Sequence, residues 1–273
     1  MHVDHFYREN RVLFKNPAPL LVLLSCPTLR ATMQWTLIIP AYNEEPLLPA
    51  SLTAGAEAAE AALPHGEWEI VVVDNNSTDR TAEIARAAGA RIVFEGHQQI
   101  ARARNAGARA ARGAFLVFID ADTEVPASLM ERLREAVESG HFCGGGAPIR
   151  FTGQARPGAD RMLAFWNGLS GRLHLAAGSL LFCRRDAFMD VGGFPESVYA
   201  GEEIHLSRKL QRWGRRHGQP FRILREGPAV LTSPRKLDWH SAGKIWSVHL
   251  LLAVFPFLTL SRRFCGFWYK RPE

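Results

Sequence analysis

The sequence predicts an α/β protein built on a mostly parallel sheet, and three observations support this prediction. Short apolar runs alternate with longer helical patterns between about residues 35 and 140, the order that produces a parallel sheet with crossover helices. Two of these apolar runs end in aspartate, at Asp74 and Asp120. The composition is 47% hydrophobic and 22% charged over 273 residues, which excludes a disordered or collagen-like chain.

The first half of the chain supplies four strand-and-helix units. Each apolar run is short and continuous, which is typical of a buried strand. The predicted strands are residues 35–39, 69–73, 91–94 and 115–119. The intervening segments predict helices at residues 45–62, 78–88, 97–111 and 126–138. Ser77 or Thr78 is the expected cap of the second helix, Gly89 ends it, and Pro126 opens the fourth.

After Gly140 the pattern changes without a linker or a repeat that would separate a second domain. Residues 142–151 and 179–183 predict strands, residues 159–169 and 202–216 predict helices, and residues 192–196 predict a loop. We therefore expect one domain over residues 33–236, a leader at 1–32 and an extension at 237–273.

The leader differs from the rest of the chain. Its apolar run ends at Cys26 and resembles a signal-peptide core, but Asp4 and Glu9 precede it and it is too short to span a bilayer. We expect residues 1–32 to lie outside the fold, with translation starting at Met1 or at Met33. The four cysteines form no CxxC pair, so a reducing, cytoplasmic setting is expected.

The C-terminal quarter is basic and ends in an apolar stretch. Residues 208–273 contain 14 Lys or Arg and three Asp or Glu, which favours an anionic partner. Residues 245–260 lack formal charge, but as a helix they would reach only about 24 Å. Association with a membrane surface, on its cytoplasmic face, is favoured over a buried terminal helix, and a full span is disfavoured. Nucleic-acid-binding motifs are absent.

Asp120-Ala121-Asp122 is the sharpest chemical feature. Carboxylates two residues apart after a buried strand can hold a hard divalent cation that also binds a diphosphate. The strand-end carboxylate of Asp74 can accept the imide N–H of uracil or the matching edge of guanine. GxGxxG, GxxxxGK[ST], GxSxG and HExxH are absent, which weakens dehydrogenase, P-loop kinase, serine hydrolase and zinc protease interpretations.

Further charged residues lie in the predicted helices. Glu202 and Glu203 begin a helix, where they either complement its dipole or act as a general base. Arg104 is the arginine of the 97–111 helix that we single out as facing a diphosphate. His240 is a further candidate metal ligand, and residues 233–236 offer additional diphosphate contacts.

Taken in order, six segments resemble the family 2 glycosyltransferases of the GT-A fold, over roughly residues 33–233. The matching residues are 38–45 (IIPAYNEE), 72–79 (VVDNNSTD), 103–107 (ARNAG), 118–122 (FIDAD), 192–196 (GGFPE) and 201–206 (GEEIHL). The resemblance implies a Rossmann-like GT-A domain that transfers sugar from a nucleotide-diphospho-sugar with inversion, using Mg²⁺ or Mn²⁺.

The resemblance also implies roles for individual residues. Pro40, Tyr42 and Glu44 would line the nucleoside pocket and Asp74 would contact the base. Asp120 would contact ribose or donor sugar and Asp122 the metal. Gly193, Phe194 and the Glu202–Glu203 pair would lie on the acceptor side. The donor would be a UDP- or GDP-sugar, and the acceptor a sugar, a lipid or a polyprenyl-linked molecule.

Several positions depart from the family pattern. Glu203 stands where the family usually has aspartate, so either Glu203 or Glu202 is the base. Lys209 replaces the glutamine of the processive QxxRW signature, which predicts transfer of a single sugar. Two other functions compete: a metal-dependent sugar nucleotidyltransferase, which would usually have a glycine-rich loop after the first strand, and a non-catalytic membrane-surface binding protein.

Overall fold

A computed structural model describes residues 34–153, 158–235, 247, 251 and 255–266. The predicted leader and His240 lie outside these described residues.

The described elements follow the predicted alternation closely. The strands are β1 (Trp35–Ala41), β2 (Trp68–Asp74), β3 (Arg91–Phe94), β4 (Phe115–Ile119), β5 (Thr123–Glu124), β6 (Gly144–Gly146), β7 (Ile149–Phe151), β8 (Leu180–Arg184), β9 (Phe221–Ile223) and β10 (Val230–Thr232). The helices are α1 (Leu48–Ala62), α2 (Thr81–Ala87), α3 (Ile100–Ala110), α4 (Ala127–Glu138), α5 (Ala159–Leu173), α6 (Arg185–Asp190) and α7 (Glu202–His217), with a 3-10 helix at Pro256–Leu260.

Seven strands form the central sheet, in the order β3-β2-β1-β4-β8-β6-β9. The pairs β3–β2, β2–β1, β1–β4 and β6–β9 are parallel, whereas β8 runs antiparallel to β4 and β6. The prediction of a mostly parallel α/β sheet is confirmed. Because β1, β2 and β4 are parallel, their carboxyl ends meet at one edge of the sheet.

A second, three-stranded sheet has the order β5-β10-β7. It brings the end of β10 to the turn that follows β4, where the Ser233 N–H donates to the Asp122 carbonyl at 3.0 Å. This contact carries the chain after β10, including Arg235, to the carboxyl edge of the central sheet.

The central sheet is covered on both faces, and β1 shows why. Leu37 and Ile39 belong to one buried apolar cluster with side chains of α1 and α4. Ile38, which points to the opposite face, belongs to a second cluster with side chains of α3, α6 and α7. Continuous apolar strands are therefore required, because both faces bury their side chains away from water.

Two local predictions are wrong in detail. Helix α2 begins at Thr81 with no side-chain cap; Ser77 and Thr78 instead bond to Asn43 in the loop after β1. The predicted strand over 142–151 is two short strands, β6 and β7. Strand β6 consists of three glycines, and a side chain at Gly145 would clash with the Arg222 carbonyl oxygen of the neighbouring strand β9.

The predicted C-terminal extension is described only in part. Residues 247 and 251 are helical, and Pro256–Leu260 forms a 3-10 helix rather than the end of one continuous α-helix. Within the described segments, no helix combines the length and apolar character needed to cross a bilayer.

Candidate active site

The carboxyl ends of β1 and β2 form a narrow polar edge around Asp74. The Asp74 Oδ1 accepts from the Ser77 N–H at 2.9 Å, so the carboxylate is fixed by the turn that follows it. Asn43, in the left-handed region at φ 51°, donates its N–H to the Ser77 Oγ at 3.0 Å and ties the two loops together. Pro40 is buried within β1 and Tyr42 is half-buried at the end of this edge. The four predicted nucleoside-side positions, Pro40, Tyr42, Glu44 and Asp74, therefore lie along this edge.

Arg104 lies at the centre of the site and is only 2% exposed. Its Nη1 donates to Glu202 Oε1 at 2.7 Å, and its Nη2 donates to Asp120 Oδ1 at 2.8 Å and to the Gly178 carbonyl at 3.0 Å. Burial opposes the charge on the guanidinium, but Asp120 and Glu202 outweigh it and raise the pKa of Arg104 above its ordinary value. One cation thus joins the aspartate after β4 to the acid pair that begins α7.

The loop before α7 supports this arginine. Phe194 is 1% exposed, and the Arg104 guanidinium carbon lies 5.3 Å from its ring centroid. Asn105 accepts from the Phe194 N–H at 3.0 Å and donates to its carbonyl at 2.9 Å. Gly193 has φ 61°, and a Cβ there would lie 2.7 Å from the Asn105 Oδ1. Phe194 therefore lies under Arg104 rather than at a surface open to an acceptor.

The two adjacent glutamates at the start of α7 differ in their environments. Glu202 is 4% exposed and forms a charge-assisted pair with Arg104. Glu203 is half-buried. Burial, reinforced by the negative charge of Glu202, raises the pKa of the Glu203 carboxyl to about 8.

A second charge cluster lies beside the first, across the Asp120–Asp122 turn. Arg235 Nη2 donates to both carboxylate oxygens of Glu44, at 2.8 and 3.0 Å, and lies 3.5 Å from Asp122 Oδ2. The Asp122 side chain is 4% exposed and that of Arg235 is 21% exposed. Positive charge is therefore already present beside the predicted metal ligand.

The donor set suits a hard divalent cation. Asp120 and Asp122 supply carboxylate oxygens two residues apart at a strand end, and Mg²⁺ is commonly held by one or two carboxylates together with substrate phosphates. In the part of the chain that the structure describes, no group of three or more His, Cys, Asp or Glu side chains could hold a metal by protein ligands alone. The residues thus fit a cation that is bound together with a diphosphate.

Some functional contacts were not found from the sequence. Local charge alone pointed to residues 233–236, and the pairing of Arg235 with Glu44 has no sequence signal because the residues are 191 positions apart. The role of Asn105 in fixing the loop at Phe194 was missed as well.

The other arginines of α3 form ion pairs outside the Arg104 cluster. Arg102 and Arg109 pair with Glu196 at 3.4 and 3.9 Å. The predicted contact of Arg104 with a diphosphate stays a prediction, and its present bonds to two carboxylates do not favour it.

Residues 36–192 match the model of the family described as Glycosyl transferase family 2. The chain belongs to this family. The matched range includes Asp74, Arg104, Asp120 and Asp122. It ends before Gly193 and α7, so the residues predicted to lie on the acceptor side and the acid pair are not covered by the match.

Curated relatives of this family 2 glycosyltransferase agree with the assignment. The glycosyltransferase AglE of Haloferax volcanii is 31% identical over 186 residues, which cover 64% of this chain and 60% of AglE. An undecaprenyl-phosphate 4-deoxy-4-formamido-L-arabinose transferase of Pseudomonas fluorescens is 35% identical over 113 residues, 39% of this chain and 33% of that protein. The chain thus spans less than two thirds of the length of these relatives.

Solved structures show the same fold at low sequence identity. The mannosyltransferase PcManGT from Pyrobaculum calidifontis, in complex with GDP-Man and Mn²⁺, has a TM-score of 0.58 and 22% identity, covering 83% of this chain and 62% of that one. S. aureus TarS 1-349, in complex with UDP-GlcNAc, has a TM-score of 0.58 and 19% identity, covering 74% and 58%. The predicted GT-A architecture is confirmed, and the family assignment favours a glycosyltransferase over the two competing functions.

Proposed function

We propose that this family 2 glycosyltransferase moves a single sugar from a nucleotide-diphospho-sugar to an acceptor hydroxyl, with inversion at the anomeric carbon. The observation that carries the proposal is the Arg104 guanidinium, which bonds Asp120 at 2.8 Å on the donor side and Glu202 at 2.7 Å at the start of α7. Donor-side and acceptor-side carboxylates are thereby held at fixed positions on either side of one buried cation.

The donor nucleoside is proposed to lie along the edge formed by Pro40, Tyr42, Glu44 and Asp74. Because Ser77 already bonds the Oδ1 of Asp74 at 2.9 Å, the other oxygen can accept the imide N–H of uracil or the N–H edge of guanine. UDP- and GDP-sugars are therefore the donors to test first. The UDP-GlcNAc and GDP-Man named for two solved neighbours support the same choice.

Asp122, with Asp120, is the proposed holder of Mg²⁺ or Mn²⁺. A bound divalent cation would neutralise the charge that develops on the departing nucleoside diphosphate. Arg235 is proposed to leave its position near Asp122 and to bind a diphosphate oxygen, since a guanidinium bonds phosphate oxygens as readily as carboxylates. Its present contact with Glu44 holds it within the donor site until the donor arrives.

Glu203 is the proposed general base, and Glu202 the positioning residue. A base is most effective when its pKa lies near the working pH, and burial raises the pKa of Glu203 to about 8. Glu202, in contrast, is committed to Arg104. In the reaction Glu203 removes the proton from the acceptor hydroxyl, and the acceptor oxygen forms a bond to the anomeric carbon. The bond from that carbon to the diphosphate oxygen breaks, and the nucleoside diphosphate leaves with the electron pair.

Arg104 and Phe194 are proposed to hold this arrangement rather than to touch substrate. Arg104 neutralises Glu202, so that the carboxyl of Glu203 can ionise beside it at moderate pH. Phe194 lies under the guanidinium and limits its movement. Gly193 is proposed to shape the acceptor side through its backbone, which accepts a bond from Lys209 Nζ at 3.2 Å. Lys209 stands at the glutamine position of the processive signature, which supports single transfer.

The acceptor is proposed to be lipid-linked, with a hydroxyl of a polyprenyl-linked sugar as the first candidate. The undecaprenyl-phosphate transferase among the relatives supports this class, as does the apolar and basic C-terminal segment. A cytoplasmic enzyme bound peripherally to the cytoplasmic face of the membrane would meet both a soluble nucleotide-sugar and such an acceptor.

The test is a donor screen on the full chain. UDP- and GDP-sugars are incubated with Mn²⁺ or EDTA, with and without lipid extract, and released nucleoside diphosphate is quantified. Asp122→Asn is compared with Asp160→Asn, because Asp160 is an exposed aspartate on α5 outside the site. We expect Mn²⁺-dependent release that Asp122→Asn lowers by about 10²-fold or more and that Asp160→Asn leaves unchanged. Equal activity of the two variants would refute the assignment of Asp122.

A further inference from the structure

A group of exposed apolar and basic side chains lies in the described part of the C-terminal segment. Of the nine exposed large apolar side chains among the described residues, five lie between positions 251 and 264. We define the tail patch as the residues of this group that follow position 254. Its members are Phe255, Phe257, Leu260, Arg262, Arg263 and Phe264.

The exposure in the tail patch is large for apolar groups. Phe257 is 63% exposed, Leu260 55% and Phe264 52%. The rings of Phe255 and Phe257 lie against each other, with centroids 6.0 Å apart. Single exposed apolar residues are ordinary on protein surfaces, but neighbouring exposed rings indicate an interaction site. The patch therefore calls for a partner that buries several side chains at once.

The tail patch is attached to the acceptor side of the site. The Tyr199 N–H donates to the Thr259 carbonyl at 2.7 Å, which fastens the 3-10 helix to the loop immediately before α7. Arg262 donates to Gln98 Oε1 at 3.3 Å, just before α3. Burial, with a contribution from the charge of Glu202, raises the pKa of the Cys265 thiol, consistent with a position near the acid pair. Whatever covers the patch thus lies beside Glu202 and Glu203.

The charges of the patch select among partners. Residues 255–266 contain Arg262 and Arg263 and no acidic residue. A second copy packed symmetrically on this face would bring two arginine pairs together, which is unfavourable. Aromatic rings interleaved with arginines are instead typical of side chains at the headgroup level of a membrane. Each basic residue near an anionic bilayer adds to the attraction.

We propose that the tail patch docks this enzyme on a bilayer that contains anionic lipids, with the start of α7 facing the membrane. The rings of Phe257 and Phe264 enter the interface, and Arg262 and Arg263 contact the lipid phosphates. This inference rests on the proposed function in one respect: docking would present the acid pair to a lipid-linked acceptor. Binding to vesicles is measurable without donor or acceptor.

The experiment is co-sedimentation of the full chain with phosphatidylcholine vesicles, with and without phosphatidylglycerol. We expect binding only to vesicles with phosphatidylglycerol, and a loss of binding as NaCl concentration rises, because salt screens the arginines. Arg262→Gln with Arg263→Gln is expected to weaken the partition by about 30-fold. The matched control is Arg215→Gln with Arg216→Gln, an exposed pair at the far end of α7, which is expected to change it little.

The apolar contribution has its own matched pair of variants. Phe257→Ser is expected to weaken vesicle binding by about tenfold or more, whereas Phe94→Ser is expected to leave it unchanged. Phe94 is 65% exposed and lies on β3, outside the tail patch. Release of nucleoside diphosphate from soluble donor should be equal in all four variants. Equal release would show that the variants fold, and it would separate the test of membrane docking from the test of the catalytic proposal.

Three results would overturn the proposal. Equal binding to neutral and anionic vesicles would remove the role of the arginines. Equal losses in the patch variants and their controls would show that the location of the charges and rings is irrelevant. Concentration-dependent dimers that disappear in Phe257→Ser, without vesicle binding by the unsubstituted chain, would identify the patch as a protein interface instead.

Discussion

Replacing Arg104 with methionine removes the cation on which the centre of the site depends. The substitution keeps an unbranched, apolar side chain of similar length, but it leaves the Glu202 carboxylate, whose side chain is 5% exposed, without its partner at 2.7 Å. Asp120, at 17% side-chain exposure, loses its partner as well but keeps more access to water. Removing one partner of a buried pair typically costs about 3–5 kcal/mol. We expect Arg104→Met to lower the free energy of unfolding by that amount, mostly through Glu202.

The assay is urea unfolding followed by circular dichroism at neutral pH, for a double-mutant cycle of Arg104→Met and Glu202→Gln. Glu202→Gln removes the charge that the arginine neutralises. The double variant should therefore be more stable than Arg104→Met, by about 2 kcal/mol or more. The defect of Arg104→Met should shrink at acidic pH, where carboxyl groups are protonated in both the folded and the unfolded state.

Arg109→Met is the matched control, because Arg109 lies on the same helix but is 60% exposed and 3.9 Å from Glu196. An exposed pair of this kind contributes about 0–1 kcal/mol. If Arg104→Met were no more destabilising than Arg109→Met, or if the double-mutant cycle showed no coupling, the proposed role of Arg104 in neutralising Glu202 would be refuted.

Two further predictions concern Glu203 and Arg235. Glu203→Gln should lower the rate of sugar transfer by about 10²–10⁴-fold while donor binding is retained. The kcat/KM of the unsubstituted enzyme should rise with pH toward a pKa of about 8. A flat profile between pH 6 and pH 9 would contradict the assignment of Glu203 as the base. The raised pKa means that folded Glu203 keeps a proton that the unfolded chain releases, so its contribution to stability is lost as pH rises from about 4.5 to 8, and Glu203→Gln should abolish that loss. Arg235→Met should destabilise the protein in EDTA, because Glu44 and Asp122 lose their positively charged neighbour. Mn²⁺ should raise the thermal stability of this variant more than that of the unsubstituted protein. Equal gains from Mn²⁺ would argue against a cation site at Asp122.

The elements that position the site were largely predictable from local sequence. Strands β1, β2, β3 and β4 are short apolar runs. Such runs can be recognised in the sequence because both faces of the sheet are buried, so that consecutive residues of a strand are apolar. The short strands β9 and β10 and helix α6 were missed, since three to six residues offer too little periodicity to detect. The caps of α2 were wrongly predicted because Ser77 and Thr78 bond to Asn43, a partner 34 and 35 positions away.

The sequence by itself determined the α/β class, the strand-end positions of Asp74 and Asp120, and the order of motifs that resembles family 2 glycosyltransferases. These properties depend on neighbouring residues, so they are visible in short windows. The tertiary structure alone decided which charges meet. Arg104 bonds a glutamate 98 positions away and Arg235 one 191 positions away, and local sequence cannot select these two among 33 Lys and Arg residues. The same tertiary contact bonds Glu202 to the buried guanidinium, whereas burial and the negative charge of Glu202 raise the pKa of the adjacent Glu203.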